Sequence, residues 1–243
     1  MTRHARAVDS STVRTLCLPS GNEFPRDPFG RPRVLAPPAA GLVYGVAFNF
    51  LADHERGSAP HRAPSLYLKP FNTHVGHGAF VTLPDHANEI TVGATLGLVI
   101  GTAAHRLDPA HALDALAGVM LVLDLALPID DAHRPPIGAT CFDGACPMGP
   151  WIVELRDLPA LDRIEIRTVI NRTVRAVTTF DRLVRPIPQL LADVTAHMTL
   201  HPGDVLLAGL PIDLPRAQGD DIVAAEADGL GRVEVRLAEG IPP

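Results

Sequence analysis

Alternating hydrophobic and polar positions run along much of the chain and predict strands more often than helices. Between Arg163 and Ile170 charged and apolar residues alternate, and Asn171 and Arg172 follow as a two-residue hairpin turn. The stretch EITVGATLGLVIG, residues 89–101, carries small and branched apolar residues on both faces of an extended chain. This pattern is typical of a strand that is half or fully buried.

Two helices are predicted between the strands. Asp108 is a suitable N-cap, Pro109 fits the first helical position, and Gly118 is expected to end this first helix. A second helix is predicted over residues 188–200, where apolar residues form one stripe. Many strands with two or three flanking helices indicate an α+β fold that is rich in β structure.

The composition changes along the chain. The 243 residues include 20 glycines and 24 prolines, which favours short elements joined by tight turns. Residues 1–33 are polar and rich in turn-forming residues, so they are predicted to be an irregular N-terminal extension. Longer apolar segments begin at Val34, and residues 34–243 are predicted to form one domain.

Charge and cysteine content narrow the choice of partners. A net charge of −6 gives no reason to expect nucleic acid or an acidic membrane surface as a partner. No apolar run approaches the ~20 residues of a membrane span, and the N-terminus has no signal-peptide core, so a cytoplasmic protein is expected. The spacing of Cys141 and Cys146 does not match a zinc knuckle, and Cys17 is the only other cysteine.

Two charged residues stand out from their surroundings. Asp124 lies inside the apolar stretch VMLVLDLALP, where a buried carboxylate needs a partner. Lys69, at the end of SLYLKP, is the only lysine among 21 basic residues. A site that requires a compact ammonium and an exposed lysine at a strand end both remain open for Lys69. The sequence contains no GxSxG, Gly-rich phosphate loop or HExxH motif. These absences argue against the common serine hydrolases, nucleotide-binding proteins and zinc proteases.

Seven segments resemble, in order, the fumarylacetoacetate hydrolase family. They are GVAFNF (45–50), YLKPFNT (67–73), VGATLGLVIG (92–101), LVLDLALP (121–128), CFDGACPMGP (141–150), TTFD (178–181) and MTLHPGDVLLAGLP (198–211). The resemblance covers residues 34–243 and implies mixed β-sheets in a roll or sandwich with a few flanking helices. Within the family, the chain looks most like the N-terminal, decarboxylase-type half of bifunctional enzymes of 4-hydroxyphenylacetate (homoprotocatechuate) catabolism.

The resemblance also implies a position for a metal ion. Active members hold Mg, Mn or Ca between an ExE pair of glutamates and an aspartate on the following strand, and the cation polarises a 2-oxo acid. In this chain the ExE positions are Gly93 and Thr95, and only Asp124 remains. We therefore expect this chain to bind no cofactor or metal itself, and Asp124 to be a remnant ligand or a catalytic base.

Other site residues follow from the same resemblance. His54 and Glu55 are candidates for a catalytic dyad on a lid, although they lie one residue out of register with the family pattern. Lys69, Asn72 and Thr73 are expected to line the substrate site. The chain departs from the family elsewhere, because Thr140 and Phe142 replace a lysine and an arginine, and Ala208 and Leu210 replace hydroxyl residues.

These residues leave three functions open. The first hypothesis is a decarboxylase/isomerase subunit that acts on 5-oxopent-3-ene-1,2,5-tricarboxylate or 2-hydroxyhepta-2,4-diene-1,7-dioate type oxo acids. The second hypothesis is a catalytically degenerate fold partner of a metal-binding family subunit, and the third is a self-sufficient enzyme with another site. A homo-oligomer, or a hetero-oligomer with a C-terminal-half-type subunit, is expected.

Overall fold

The structure is a computed structural model of the 243-residue chain. It describes residues 41–50, 63–85, 87–128 and 137–239, together with three short strands nearer the N-terminus. Within these residues the secondary structure is mostly strand, with two short α-helices and five 3₁₀ turns. The prediction of an α+β fold rich in β structure is confirmed.

The elements are numbered in chain order. The strands are β1 (His4–Arg6), β2 (Thr15–Cys17), β3 (Val34–Leu35), β4 (Val43–Ala47), β5 (Ser65–Lys69), β6 (His74–Val75), β7 (Phe80–Thr82), β8 (Ile90–Ile100), β9 (Leu116–Ala126), β10 (Cys146–Val153), β11 (Glu165–Ile170), β12 (Thr173–Thr179), β13 (Val205–Leu207), β14 (Arg216–Ala217), β15 (Ile222–Ala227) and β16 (Gly231–Ala238). The α-helices are α1 (Ile137–Thr140) and α2 (Ile187–Thr195), and the 3₁₀ turns are Phe71–Thr73, Pro109–Ala115, Leu155–Asp157, Leu161–Arg163 and Phe180–Arg182.

A nine-stranded mixed sheet forms the larger layer. Seven of its strands follow the order β3-β10-β9-β8-β13-β4-β5, while β14 pairs with β8 and β6 pairs with β10. The pairs β13–β4 and β10–β6 are parallel, and the other pairs of this sheet are antiparallel. Strand β8 lies near the middle, and all of its residues except Thr91 are buried.

This sheet rolls up on itself. Strand β5 is four strands away from β9, which would be about 19 Å across a flat sheet at the usual strand spacing. The Nζ atom of Lys69 on β5 nevertheless lies 2.6 Å from a carboxylate oxygen of Asp124 on β9. The chain leaving β5 also pairs through β6 with β10, beyond β9. The sheet is therefore curved into a roll, with Lys69 and Asp124 on its inner face.

A second sheet packs against the outside of the roll. Its five strands follow the order β12-β11-β15-β16-β7. Strands β8 and β9 contact β11, β15 and β16, and the larger hydrophobic core lies between the two sheets. A smaller core lies on the other face of the nine-stranded sheet and includes Val99, Met120 and Val122. Asp124 shares its strand face with Met120 and Val122, so it lies beside this inner core.

The local sequence predictions have mixed outcomes. Asn171 and Arg172 form the predicted hairpin turn, with φ angles of 50° and 66°. Asp108 caps the first helix by accepting a hydrogen bond from the Ala110 N–H, as predicted. That helix is a 3₁₀ helix that ends at Ala115, and Gly118 lies inside β9, so the predicted end of the helix was wrong. The second helix is shorter than predicted and ends at Thr195.

The N-terminal region is described only in part. Within residues 1–33 the structure describes β1 and β2, which pair antiparallel with each other. The irregular extension over 1–33 and the domain over 34–243 stay predictions. In the described residues, no helix has the length and apolar character needed to cross a membrane.

Asp204 connects the turn before β13 to the start of β4, and we predict that it stabilises the roll. Its carboxylate is 6% exposed and accepts hydrogen bonds from the N–H groups of Leu42 (2.9 Å) and His201 (2.8 Å). Asp204→Ala leaves both donors without this acceptor, which is expected to lower the free energy of unfolding by about 2–4 kcal/mol in urea.

The exposed Asp213 in the following loop is the matched control. Asp213→Ala is expected to change the free energy of unfolding by no more than about 0.5 kcal/mol. Equal losses in the two variants would contradict the role of Asp204.

Candidate functional site

Lys69 and Asp124 form a buried ion pair inside the roll. Their side chains are 0% and 4% exposed, and Nζ of Lys69 lies 2.6 Å from Oδ1 of Asp124. Lys69 ends β5 and Asp124 lies near the end of β9, so the curvature of the sheet brings the two charges together. Of the two alternatives for Lys69, the prediction of an exposed lysine at the end of a strand is therefore wrong.

The ammonium of Lys69 has a full set of acceptors. Besides Asp124, it donates to the carbonyl oxygens of Leu125 (2.9 Å) and Thr140 (2.8 Å), and the carbonyl of Ala145 is 3.4 Å away. An ammonium carries three protons, so Asp124 and the two nearer carbonyls use all of them. These bonds offset the cost of removing both charges from water, which an ion pair by itself rarely does.

Tyr67 is a third member of this cluster, and the sequence analysis did not identify it. Its hydroxyl donates a short hydrogen bond to Oδ2 of Asp124. Tyr67 and Lys69 are two residues apart on β5 and therefore point to the same face, which is the signal that could have revealed Tyr67. Gly45 pairs with Tyr67 across the strands, and a Cβ atom there would overlap the phenol ring.

The surroundings keep Tyr67 protonated. Burial raises the pKa of Tyr67 well above 10.0, and the charge of Asp124 and the hydrogen bond to it raise the pKa further. Nearby, burial raises the pKa of the Cys146 thiol to about 12, although the positive charge of Lys69 acts to lower it. Cys146 is therefore a protonated packing residue at neutral pH and not a nucleophile.

The two ExE positions face the loop over residues 208–211. Gly93 pairs directly with Asp124, so a side chain at 93 would point to the same face. A Cβ atom placed on Gly93 would lie 2.6 and 2.7 Å from the two methyl carbons of Leu210. The hydroxyl of Thr95 donates to the carbonyl oxygen of Gly209 at 2.7 Å. Leu210 and Gly209 thus cover both positions.

Asn49 holds the same loop from its other side. Asn49 is fully buried, and its amide nitrogen donates to the carbonyl of Ala208 at 2.9 Å. Its side-chain oxygen accepts from the Arg185 N–H at 3.1 Å. Thr95 and Asn49 thus bind the carbonyls of the two residues that precede Leu210, and these two hydrogen bonds hold the backbone that carries Leu210 above Gly93.

These residues do not fit the divalent cation that the family resemblance implies. A hard dication needs several oxygen ligands, preferably charged ones. Of the three family ligand positions, only Asp124 carries a carboxylate, and both of its oxygens already accept hydrogen bonds. Over the ranges that the structure covers, no three His, Cys, Asp or Glu side chains are grouped to hold a metal ion. That the chain binds no cation stays a prediction.

The remaining predicted site residues are His54, Glu55, Asn72 and Thr73. His54 and Glu55 lie outside the described residues, so the lid dyad stays a prediction. Asn72 is exposed and donates to the carbonyl of Cys141 at 2.9 Å and to Asp143 at 2.8 Å. Thr73 is buried and its hydroxyl donates to the carbonyl of Pro70 at 2.7 Å, within its own turn. Substrate binding by Lys69, Asn72 and Thr73 also stays a prediction.

Comparison with known proteins identifies the family. Residues 43–238 match the sequence profile described as fumarylacetoacetate (FAA) hydrolase, C-terminal. The chain therefore belongs to the fumarylacetoacetate hydrolase family, as its motifs indicated. A crystal structure of 5-carboxymethyl-2-hydroxymuconate delta-isomerase from Mycobacterium smegmatis is similar over all of both chains, with 26% identity and a TM-score of 0.79.

Two related proteins have names that describe aromatic catabolism. The 4-hydroxyphenylacetate degradation bifunctional isomerase/decarboxylase of Salmonella dublin is 30% identical over 213 residues, which cover 85% of this chain and 49% of that protein. The homoprotocatechuate catabolism bifunctional isomerase/decarboxylase of Escherichia coli is 34% identical over 212 residues, covering 84% and 46%. The chain thus spans about half the length of these bifunctional relatives.

We predict that breaking the Lys69–Asp124 pair destabilises the protein strongly. Lys69→Met leaves the buried carboxylate without its counter-charge and is expected to lower the free energy of unfolding by about 3–5 kcal/mol. Adding Asp124→Asn removes the unpaired charge and keeps an acceptor for Tyr67, so the double variant should be more stable than Lys69→Met alone. Urea unfolding measures both changes.

An exposed ion pair provides the control for these variants. Arg236 and Asp220 are 53% and 75% exposed and 3.7 Å apart, so Arg236→Met is expected to cost at most about 1 kcal/mol. If Lys69→Met cost no more than Arg236→Met, the pair would not be buried as described.

The raised pKa of Tyr67 predicts a loss of stability at high pH. As the pH rises above 10.0, a tyrosine in the unfolded chain releases its proton while folded Tyr67 retains it, so the unfolded state is favoured. The free energy of unfolding should fall by up to about 1.4 kcal/mol per pH unit from this group, until the folded pKa is reached.

Tyr67→Phe should remove that part of the pH dependence, and urea unfolding across the alkaline range measures it. Tyr44 is the only other tyrosine, so Tyr44→Phe is the control that keeps the contribution of Tyr67. A pH dependence that is unchanged in Tyr67→Phe would contradict the hydrogen bond to Asp124.

Proposed function

We propose that the chain is a decarboxylase/isomerase-type subunit that acts on small oxo acids of aromatic catabolism. The candidates are 2-hydroxyhepta-2,4-diene-1,7-dioate and 5-oxopent-3-ene-1,2,5-tricarboxylate. Family membership and the names of the two bifunctional relatives support this class of reaction. The isomerase from Mycobacterium smegmatis, which is similar over the whole chain, supports it as well.

The observation that carries the proposal is the cluster of Tyr67, Asp124 and Lys69. Apolar residues of similar size would fill this part of the roll at no net cost in stability, because a buried ion pair seldom stabilises more than good packing does. Buried ionisable groups with a shifted pKa are common at active sites. Tyr67 is only partly buried, so its ring borders the surface while its hydroxyl contacts Asp124.

This cluster is suited to moving a proton during a change from enol to oxo acid. In that reaction an O–H bond of the enol breaks and a C–H bond forms. We propose that the enol proton passes to the oxygen of Tyr67 as the phenol proton passes to Asp124. Carbon receives its proton from water or from the proposed His54 and Glu55 dyad, and Asp124 then returns its proton to water. Lys69 offsets the charge of Asp124 before Asp124 accepts this proton and again after it has returned it.

Assembly with further subunits is part of this proposal. The chain spans about half the length of its bifunctional relatives, so a C-terminal-half-type family subunit is one candidate partner and a second copy of this chain is the other. The C-terminal-half-type subunit would carry the divalent-cation ligands that Gly93 and Thr95 do not provide in this chain.

A second candidate function is a catalytically degenerate fold partner that stabilises or regulates a metal-binding subunit. The contact of Leu210 with the position above Gly93 favours it, because this contact fills space that a reacting group could otherwise enter. In this case Tyr67 and Asp124 would matter for stability alone.

Turnover by the purified chain separates these two functions. The chain, stripped of metal and assayed alone, is expected to convert 2-hydroxyhepta-2,4-diene-1,7-dioate to its oxo isomer, followed by ultraviolet absorbance. Tyr67→Phe and Asp124→Asn should each lower kcat by about 10²-fold or more, the usual range for loss of an acid–base group. Tyr44→Phe, which changes the tyrosine that packs on the larger core, should leave kcat unchanged.

Two results would contradict catalysis by this chain. One is no turnover without a partner, combined with full activity when Tyr67→Phe or Asp124→Asn chains are mixed with a C-terminal-half-type subunit. The other is that the activity of the mixture is lost when the partner's metal-binding glutamates are removed but is unchanged by Tyr67→Phe and Asp124→Asn in this chain. Both results would support the fold-partner function.

A further inference from the structure

We propose that Leu210 occupies the space of the carboxylate that is missing at position 93, so that Gly93, Thr95 and Leu210 act as one unit that excludes a divalent cation. Asp124 is already neutralised by the Lys69 ammonium beside it. This inference deepens the proposed function, since it concerns the same site. Its tests measure metal binding and stability without substrate, so it can fail while the proposed function holds, and the reverse is also true.

The first part of the argument is space. The two methyl carbons of Leu210 lie 2.6 and 2.7 Å from the point where the first side-chain atom at position 93 would be placed, and the Asp124 carbonyl oxygen is 3.0 Å from that point. A side chain at 93 therefore requires the Leu210 side chain to shift. Thr95 and Asn49 bind the carbonyls of Gly209 and Ala208 and hold the backbone of the loop in place, so the loop itself does not open to make room.

The second part is the coupling between positions 93 and 95. The Thr95 hydroxyl is fully buried and donates to Gly209, the residue that precedes Leu210. A carboxylate at 95 has no proton to donate, so it would face the Gly209 carbonyl oxygen with like partial charge. Replacing Thr95 by glutamate thus loosens the loop, but it leaves the Leu210 side chain above Gly93.

The third part is charge. The Lys69 ammonium and the Asp124 carboxylate sum to zero, and carbonyl oxygens of Leu125 and Thr140 complete the ammonium's hydrogen bonds. A dication added beside this pair would leave two uncompensated positive charges in a buried position, which is strongly unfavourable. Two new glutamates would compensate these charges only if both could reach the position, and the methyl groups of Leu210 oppose that at 93.

The experiment measures binding of Mn²⁺ alone to the full chain, from the loss of the free-ion signal in electron paramagnetic resonance. The double variant Gly93→Glu, Thr95→Glu is expected to bind weakly. Adding Leu210→Ala should tighten binding by about 10-fold or more, the effect that a supporting residue commonly has at a metal site. Elemental analysis of the unmodified chain should find no stoichiometric Mg or Mn.

The matched control is Ile212→Ala in the same double variant. Ile212 is 74% exposed and lies two residues beyond Leu210, so its truncation should leave Mn²⁺ affinity equal to that of the double variant. Equal affinity of the double variant and the Leu210→Ala triple variant would overturn the inference. It would also be overturned if the triple variant bound no Mn²⁺, or if the unmodified chain held a stoichiometric cation.

A second measurement applies even if the glutamate variants fail to fold. Gly93→Ala adds only the Cβ atom that meets Leu210, so it should lower the thermal unfolding temperature. In a Leu210→Ala background the same change should lower that temperature by less, because the Asp124 carbonyl oxygen is then the one that remains of the three close contacts of this Cβ atom. A loss of the same size in both backgrounds would show that Leu210 does not occupy this space, and the inference would be wrong.

Discussion

The ion pair between Lys69 and Asp124 is the contact on which the arrangement of the roll depends. It joins β5 at the edge of the nine-stranded sheet to β9, four strands away, and it can form only when the sheet curves. Removing these charges from water costs several kcal/mol per ion, and the cost is offset only by close geometry and a complete set of hydrogen bonds. The carbonyls of Leu125 and Thr140 provide that set. Charge pairing therefore specifies one curvature of the sheet.

The rest of the site follows from this pair. Tyr67 adds a proton donor on the free oxygen of Asp124, and Gly45 leaves room for its ring. On the neighbouring strand, Gly93 and Thr95 present no carboxylate, and the loop that carries Leu210 covers them. The fold around this site is that of the family. The site itself contains the Lys69 ammonium beside the Asp124 carboxylate. Acid–base chemistry through Tyr67 and Asp124 is compatible with this arrangement.

The sequence was sufficient for the parts that depend on local pattern. The buried strand β8, the hairpin at Asn171 and Arg172, and the family could be predicted because side-chain periodicity, turn residues and motifs are local properties. Asp124 and the single lysine, Lys69, could be singled out because each differs from its surroundings. The end of the first helix was predicted wrongly because Gly118 fits both the end of a helix and the interior of a strand. The packing of β9 places Gly118 in the strand.

What could not be predicted depends on contacts between distant segments. Nothing in the order of residues shows that β5 returns to β9, so Lys69 could equally have been an exposed lysine at a strand end. The contact between Gly93 and Leu210 joins positions 117 residues apart in the numbering, and only the folded loop brings them together. Tyr67 was within reach of sequence reasoning, since it shares a strand face with Lys69, but its role needed the position of Asp124.

Lys69 itself offers the most direct measurement of the central claim, because it is the only lysine in the chain. Labelling with lysine that carries nitrogen-15 at Nζ gives one ammonium signal in nuclear magnetic resonance spectra. The buried ion pair predicts a single signal that exchanges slowly with water, and the predicted absence of a cation site means that equimolar Mn²⁺ should not broaden it. Rapid exchange with water would contradict the buried ion pair, and broadening by equimolar Mn²⁺ would contradict the exclusion of a cation from this site.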